Sequence, residues 1–271
     1  MKKVITPSKT LGLNAADLWQ HRELFLFLAW KDIRLRYNPI LLGAFWAAIQ
    51  PLSLSYILSN VLVSVTNFFS KNIPYTIFAL IGMIFWSYFT SCLSRSSNSL
   101  TANRSLITKA SFPRLILPCA TLIVGLVDFI CTFVLLIIIM LRYKIFPSPL
   151  GIALLFPSLI ITGATALGIG LFFSFLQIKY RDVKQVLPYF TSLLFFLTPV
   201  MYPVKILPPQ LNWSILYINP LAGVLETVRA SMFNEQIVWG DYITSAAISI
   251  LFVFLGLLYF LKNERELADL I

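Results

Sequence analysis

The chain has 271 residues, 58% of them hydrophobic and only 12% charged. A soluble domain carries about twice that share of charge, so the composition excludes a water-soluble globule and points to lipid as the solvent of most of the surface. The formal charge of +10 would suggest a nucleic-acid partner in a soluble protein; among long apolar runs it reads instead as basic loops that hold a membrane topology, with no nucleic acid involved.

The first 39 residues are polar and charged, so the first long apolar run comes too late for a cleavable signal peptide. Within them, residues 20–37 (QHRELFLFLAWKDIRLRY) place Leu26, Trp30, Ile33 and Tyr37 on one helical stripe, with Lys31, Asp32, Arg34 and Arg36 as charges. This pattern predicts an interfacial amphipathic helix; a plain basic anchor for the first span is the alternative. Six transmembrane helices are predicted, over 40–65, 75–93, 115–141, 150–176, 186–202 and 242–261, each near the roughly 20 residues that cross a bilayer core. The first contains Gln50-Pro51, a predicted kink. The fourth carries Thr162, Gly163, Ala166, Gly168 and Gly170, a small-residue face suited to close helix packing. The fold class is therefore an all-α polytopic membrane protein forming a single domain over 1–271.

With the N-terminus inside, the segments 1–39, 94–114, 177–185 and 262–271 carry 16 of the 21 lysines and arginines. That bias places both termini in the cytoplasm. The stretch 203–240 is too apolar for a solvated loop and is broken by Pro203, Pro208, Pro209 and Pro220. Two short re-entrant helices broken at Asn219-Pro220 fit it, and so does a small external cap.

Absences narrow the function. No Gly-Lys dipeptide occurs, hence no phosphate-binding Walker loop, and neither H-E-x-x-H nor G-x-S-x-G is present. Three cysteines (Cys92, Cys119, Cys131) without metal spacing and a single histidine, His21, give no expected disulfide framework or metal site. Asp128 is the one acid at mid-span. A lone charge in lipid is costly, so it reads either as a structural contact to a polar group of a neighbouring helix or as part of a transport path. Aromatic residues are abundant, among them Trp46, Tyr56, Trp86, Tyr88, Tyr189, Phe195, Phe196, Tyr202 and Trp213. Belts and packing are their default roles, but the C–H faces of a sugar chain also stack on aromatic rings, and an uncharged aromatic path would suit a neutral polymer.

Six stretches, in order, resemble one family. They are 30–51 (WKDIRLRYNPILLGAFWAAIQP), 98–118 (NSLTANRSLITKASFPRLILP), 177–183 (QIKYRDV), 198–203 (TPVMYP), 219–226 (NPLAGVLE) and the tail 264–271. Together they are similar to the type-2 ABC transporter permeases that export polysaccharides, the O-antigen branch above all; teichoic-acid and capsule permeases are more distantly similar. The resemblance implies a homodimer of permeases, two separate ABC ATPase subunits that carry the ATP and Mg²⁺, no cofactor on this chain, and a channel for an undecaprenyl-linked polysaccharide through the bacterial inner membrane.

It further implies that the N-terminal helix and the 94–114 loop face the ATPase, with Trp30, Lys31, Arg34, Arg95, Arg104, Lys109, Phe112 and Arg114 as coupling residues. The first and fifth spans would line the channel, with Trp46, Tyr56, Tyr189, Phe195, Phe196 and Tyr202 along the glycan path. Trp213, Tyr217, Asn219 and Pro220 would belong to an outer gate. A teichoic-acid or capsular polysaccharide permease of the same fold is one alternative; a membrane-embedded glycan-modifying enzyme is another, for which Asp128, Glu226 and Asp241 form no recognisable cluster.

Overall fold

The computed structural model describes residues 19–37, 49–57, 60, 74–110, 112–180, 182–208 and 218–264. The predicted first span falls mostly outside these residues, apart from a helical stretch over 49–57 that includes Gln50-Pro51. The fold is all-helical as expected. In chain order the helices are α1 (Arg22–Arg36), α2 (Tyr75–Ala102), α3 (Arg104–Lys109), α4 (Ile116–Arg142), α5 (Pro149–Lys179), α6 (Val183–Leu197), α7 (Pro220–Met232) and α8 (Trp239–Asn263), with a short 3₁₀ turn at Val204–Ile206 between α6 and α7.

Among the described residues, α2, α4, α5 and α8 are long and apolar enough to cross a membrane. Helix α2 is the most enclosed. It packs on α5 and α4, while α5 packs in turn on α8 and α7. The core along α2 holds Ile77, Leu80, Ile84, Phe89 and Leu93. A second cluster gathers Leu28 and Ala29 of α1, Leu100, Ile107, Leu115, Phe175, Ile178 and Phe260. It marks the basic end of the bundle, where Lys31 Nζ donates to Asn103 Oδ1 at 3.0 Å and Arg114 Nη1 to the Glu264 carbonyl at 2.5 Å.

The small-residue face of α5 is a packing surface. A Cβ at Gly168 would fall 2.5 Å from backbone atoms of Phe252, and a Cβ at Gly256 would meet the Gly168 carbonyl. The α5 and α8 backbones touch there, which only glycine permits. Thr162 and Ala166 beside it are fully buried.

Two element boundaries differ from the sequence reading. Helix α2 does not stop at Leu93 but continues through SRSSNSLTA to Ala102. Nothing in that stretch breaks a helix, and its polar side chains bond back along it: Ser97 to the Leu93 carbonyl, Asn98 to Ser94, Ser99 to Ser96 and Thr101 to Asn98. Helix α6 ends at Leu197 rather than Tyr202. Thr198 precedes Pro199, which disfavours the helical region, and the Tyr202 hydroxyl folds back to donate to the Phe196 carbonyl at 2.9 Å.

Helix α1 also differs in how it lies. Leu26 and Trp30 are exposed while Tyr37, on the same stripe, is buried. The docked face is Leu24, Phe25, Leu28 and Ala29, laid along α4. A small residue at position 29 permits close approach, and Tyr37 after the C-terminal end is drawn inward while Arg34 and Arg36 stay exposed.

Candidate functional site: a polar and aromatic cavity with a charge cluster

A cavity of about 930 Å³ opens between α1, the 49–57 stretch, α2, α4 and α6. Its wall mixes two chemistries. Trp86 and Tyr88 of α2, Phe129 of α4, and Phe195 and Phe196 of α6 supply rings; Gln50, Ser87, Thr90, Ser91, Ser94, Thr132, Thr191 and Ser192 supply neutral polar groups. Trp86 meets Phe195 edge-on at 5.4 Å between centroids, and Tyr88 and Phe85 both meet Phe129 in the same manner. These contacts hold α6 and α4 against α2 and set the shape of the space.

Charge enters at one place. Asp128, 6% exposed at the middle of α4, accepts from Arg36 Nε at 2.8 Å, from the Tyr37 hydroxyl at 2.5 Å and from Ser91 Oγ at 3.0 Å. Ser91 Oγ accepts in turn from Arg95 Nε at 3.3 Å. Three helices thus converge on one carboxylate. Burial first, then the hydrogen bond to Asp128, push the Tyr37 hydroxyl above its usual value, so it remains the donor of that bond. The lone mid-span acid is neither bare nor dependent on a hydroxyl alone: it carries a salt bridge to the end of α1.

At the opposite end, α7 is too short to span a core of about 30 Å at 1.5 Å per residue, yet most of it is buried against α5, α8 and α2. Asn219 caps it, with Oδ1 accepting from the Leu221 N–H at 3.0 Å and Nδ2 donating to Thr198 Oγ1 at 2.7 Å; Pro220 takes the first helical position. The Asn219-Pro220 pair starts the helix and ties it to the end of α6. Arg229 is buried in α7. It donates to the carbonyls of Pro199 and Val200 at 2.7 and 2.5 Å, lies 3.7 Å from the Phe78 ring centroid and 3.9 Å from Glu226. Gly82 makes room for it, since a Cβ there would collide with the Val200 carbonyl and the guanidinium. Glu226 accepts from the Val204 N–H at 3.2 Å. The segment after α6 is therefore pinned on α7 by charge-assisted bonds.

The residues singled out from sequence separate into groups. Phe195 and Phe196 lie on the cavity wall. Tyr56 and Tyr189 are exposed, on the 49–57 stretch and on α6, and Tyr202 lies in the turn after α6. Trp46, Trp213 and Tyr217 lie outside the described residues. Lys31, Arg104, Lys109, Phe112 and Arg114 gather at the basic end; Trp30 and Arg34 are on exposed parts of α1. Arg95 stands apart from them on the cavity wall. Sequence reasoning did not single out Arg36, Tyr37 or Ser91 as site residues, nor the Arg229 anchor. A mid-span acid does signal that a cation is needed, but the sequence spacing of 92 residues between Arg36 and Asp128 offers no local cue to which one. The three cysteines are free, Cys92 buried and the others half-buried.

The family description that fits this arrangement is "ABC-2 type transporter", matched over residues 23–233. The chain belongs to the ABC-2 type transporter family. The match takes in α1 through α7, so the charge cluster, the cavity and the buried Arg229 all lie within the ABC-2 region. An O-antigen export system permease protein of Klebsiella pneumoniae is 27% identical over 253 residues, covering 92% of this chain and 95% of the relative. One of Myxococcus xanthus is 24% identical over 259 residues, covering 93% and 97%. A polysialic acid transport protein of Escherichia coli is 28% identical over 249 residues, covering 90% and 94%. As an ABC-2 transporter chain with several apolar helices, this is a multi-pass membrane protein.

Proposed function

We propose that this chain is the permease subunit of an ABC exporter that moves a lipid-linked polysaccharide, of the O-antigen class, across the bacterial inner membrane. The observation that carries the reading is an ABC-2 chain with a cavity of about 930 Å³ walled by aromatic rings and hydroxyls. Rings stack on sugar C–H faces while Ser, Thr and Gln exchange hydrogen bonds with sugar hydroxyls. Near end-to-end similarity to O-antigen permeases supports the substrate class.

In this reading the chain does no chemistry. ATP and Mg²⁺ belong to two ATPase subunits, and two copies of the permease form the channel, with six spans each and both termini in the cytoplasm. The basic end then faces the ATPases, with α1, α3 and Phe112 in contact with them. Helix α7 and the segment pinned to it form the outer gate.

Deletion of the gene is expected to leave lipid-linked polymer inside the cell; surface polymer at normal levels would overturn the reading. Similarity to the polysialic acid transport protein favours a second substrate, an acidic capsule chain. Composition of the accumulated polymer separates the two.

A further inference from the structure

The charge cluster in the cavity holds one more cation than it needs. Arg36 already neutralises Asp128, and Tyr37 and Ser91 donate two further hydrogen bonds to its carboxylate. Arg95 reaches the cluster only through Ser91 Oγ. It lies within electrostatic range of Arg36, which repels it, and of Asp128 and Asp32, which attract it; Asp32 is itself paired with Lys31 at 3.7 Å. Among the described residues, both arginines bond only through Nε, leaving the planar Nη forks unused. Both line the same cavity.

A neutral glycan explains the rings and hydroxyls but not a surplus guanidinium, whose removal from bulk water is costly without a counter-charge. Two unused forks lining one cavity suit a phosphate-class group, whose oxygens guanidinium binds bidentately.

We propose that Arg36 and Arg95 form an anion subsite for a phosphate-class group carried by the cargo, and that Asp128 is the internal anion which this group displaces from Arg36. The proposal rests on the export reading for its ligand. The exchange is balanced: Asp128 keeps the Tyr37 and Ser91 hydrogen bonds when Arg36 turns to the incoming anion. Two sources share the chemistry, a lipid carrier's headgroup and a free phosphate compound.

The test uses the full chain in lipid nanodiscs, with inorganic pyrophosphate as the free probe and undecaprenyl diphosphate in the bilayer as the lipid probe. Affinity is read by calorimetry. Arg95→Gln is expected to weaken binding about tenfold or more, as loss of a bidentate charge-assisted contact does, and Arg95→Lys by less. Asp128→Asn is expected to tighten binding several-fold, because it removes the competitor; a merely structural cluster would not move in that direction. Preference for the lipid probe assigns the site to the carrier headgroup, and equal affinity to a free compound. No binding of either probe, indifference to Arg95→Lys and Arg95→Gln, or unchanged or weaker binding by Asp128→Asn overturns the proposal. Surface polymer made by the same chain in cells is the separate readout: export without anion binding ends only the subsite, and anion binding without export ends the export reading.

Discussion

Two ionic residues carry structure that their neighbours in sequence do not announce. Asp128 ties α1 and α2 to α4 through three donor atoms, one each from Arg36, Tyr37 and Ser91, that converge on its carboxylate. Asp128→Ala leaves Arg36 beside Arg95 without an anion, and we expect a cost of about 1–3 kcal/mol, less than for a fully buried pair because Arg36 keeps partial access to solvent. Thermal unfolding in nanodiscs reads it. Arg229 is the second. A lysine there keeps the charge but cannot fork onto the Pro199 and Val200 carbonyls. Arg229→Lys is therefore expected to lower stability by about 2–3 kcal/mol and to raise protease access to the segment after α6; an unchanged digestion pattern would show that the anchor is dispensable.

At the scale of elements, one contact decides whether the bundle closes, and a second carries the coupling expected in the export reading. The α5–α8 crossing has no room for a side chain at Gly168 or Gly256, so Gly256→Leu is expected to cost about 2–3 kcal/mol by overpacking and to shift the protein to aggregates in size-exclusion chromatography. Gly240, with open space around it, serves as the control: Gly240→Ala is expected to be neutral or slightly stabilising. The basic end is the other contact. Helix α3 is short and is followed by Phe112-Pro113 before α4 begins, a geometry that lets a push on α3 reach a span directly. Arg104→Glu or Phe112→Ala is expected to leave the protein inserted and its partner ATPase active while export falls; normal export by both variants would count against that route.

For the molecule as a whole, the charge bias predicts which end faces the cytoplasm. In a cysteine-free background, Lys144→Cys is expected to react with a membrane-impermeant maleimide in intact cells and Arg104→Cys only after permeabilisation. The reverse pattern would invert the topology.

Much of this was legible in the chain. Apolar runs near 20 residues, spaced by basic segments, specify α4, α5 and α8 to within a few residues, and the start of α2, because a helix that crosses lipid must satisfy its backbone within itself. Asn219-Pro220 announces a helix start for a local reason, a cap and a preset φ. The ends of α2 and α6 were less legible. A run of serines reads as a loop by composition, yet Ser97, Ser99 and Thr101 bond back to carbonyls of the helix itself; a proline two residues after Leu197 ends α6 where the apolar run does not. What only the tertiary structure decided was partnership. Asp128 is conspicuous as a lone mid-span acid, but its cation sits 92 residues earlier, and Arg229 finds two carbonyls about 30 residues away. Span positions follow from how each segment meets lipid, which is written locally; which charge meets which is set by how the helices pack against one another, and no short window of sequence records that.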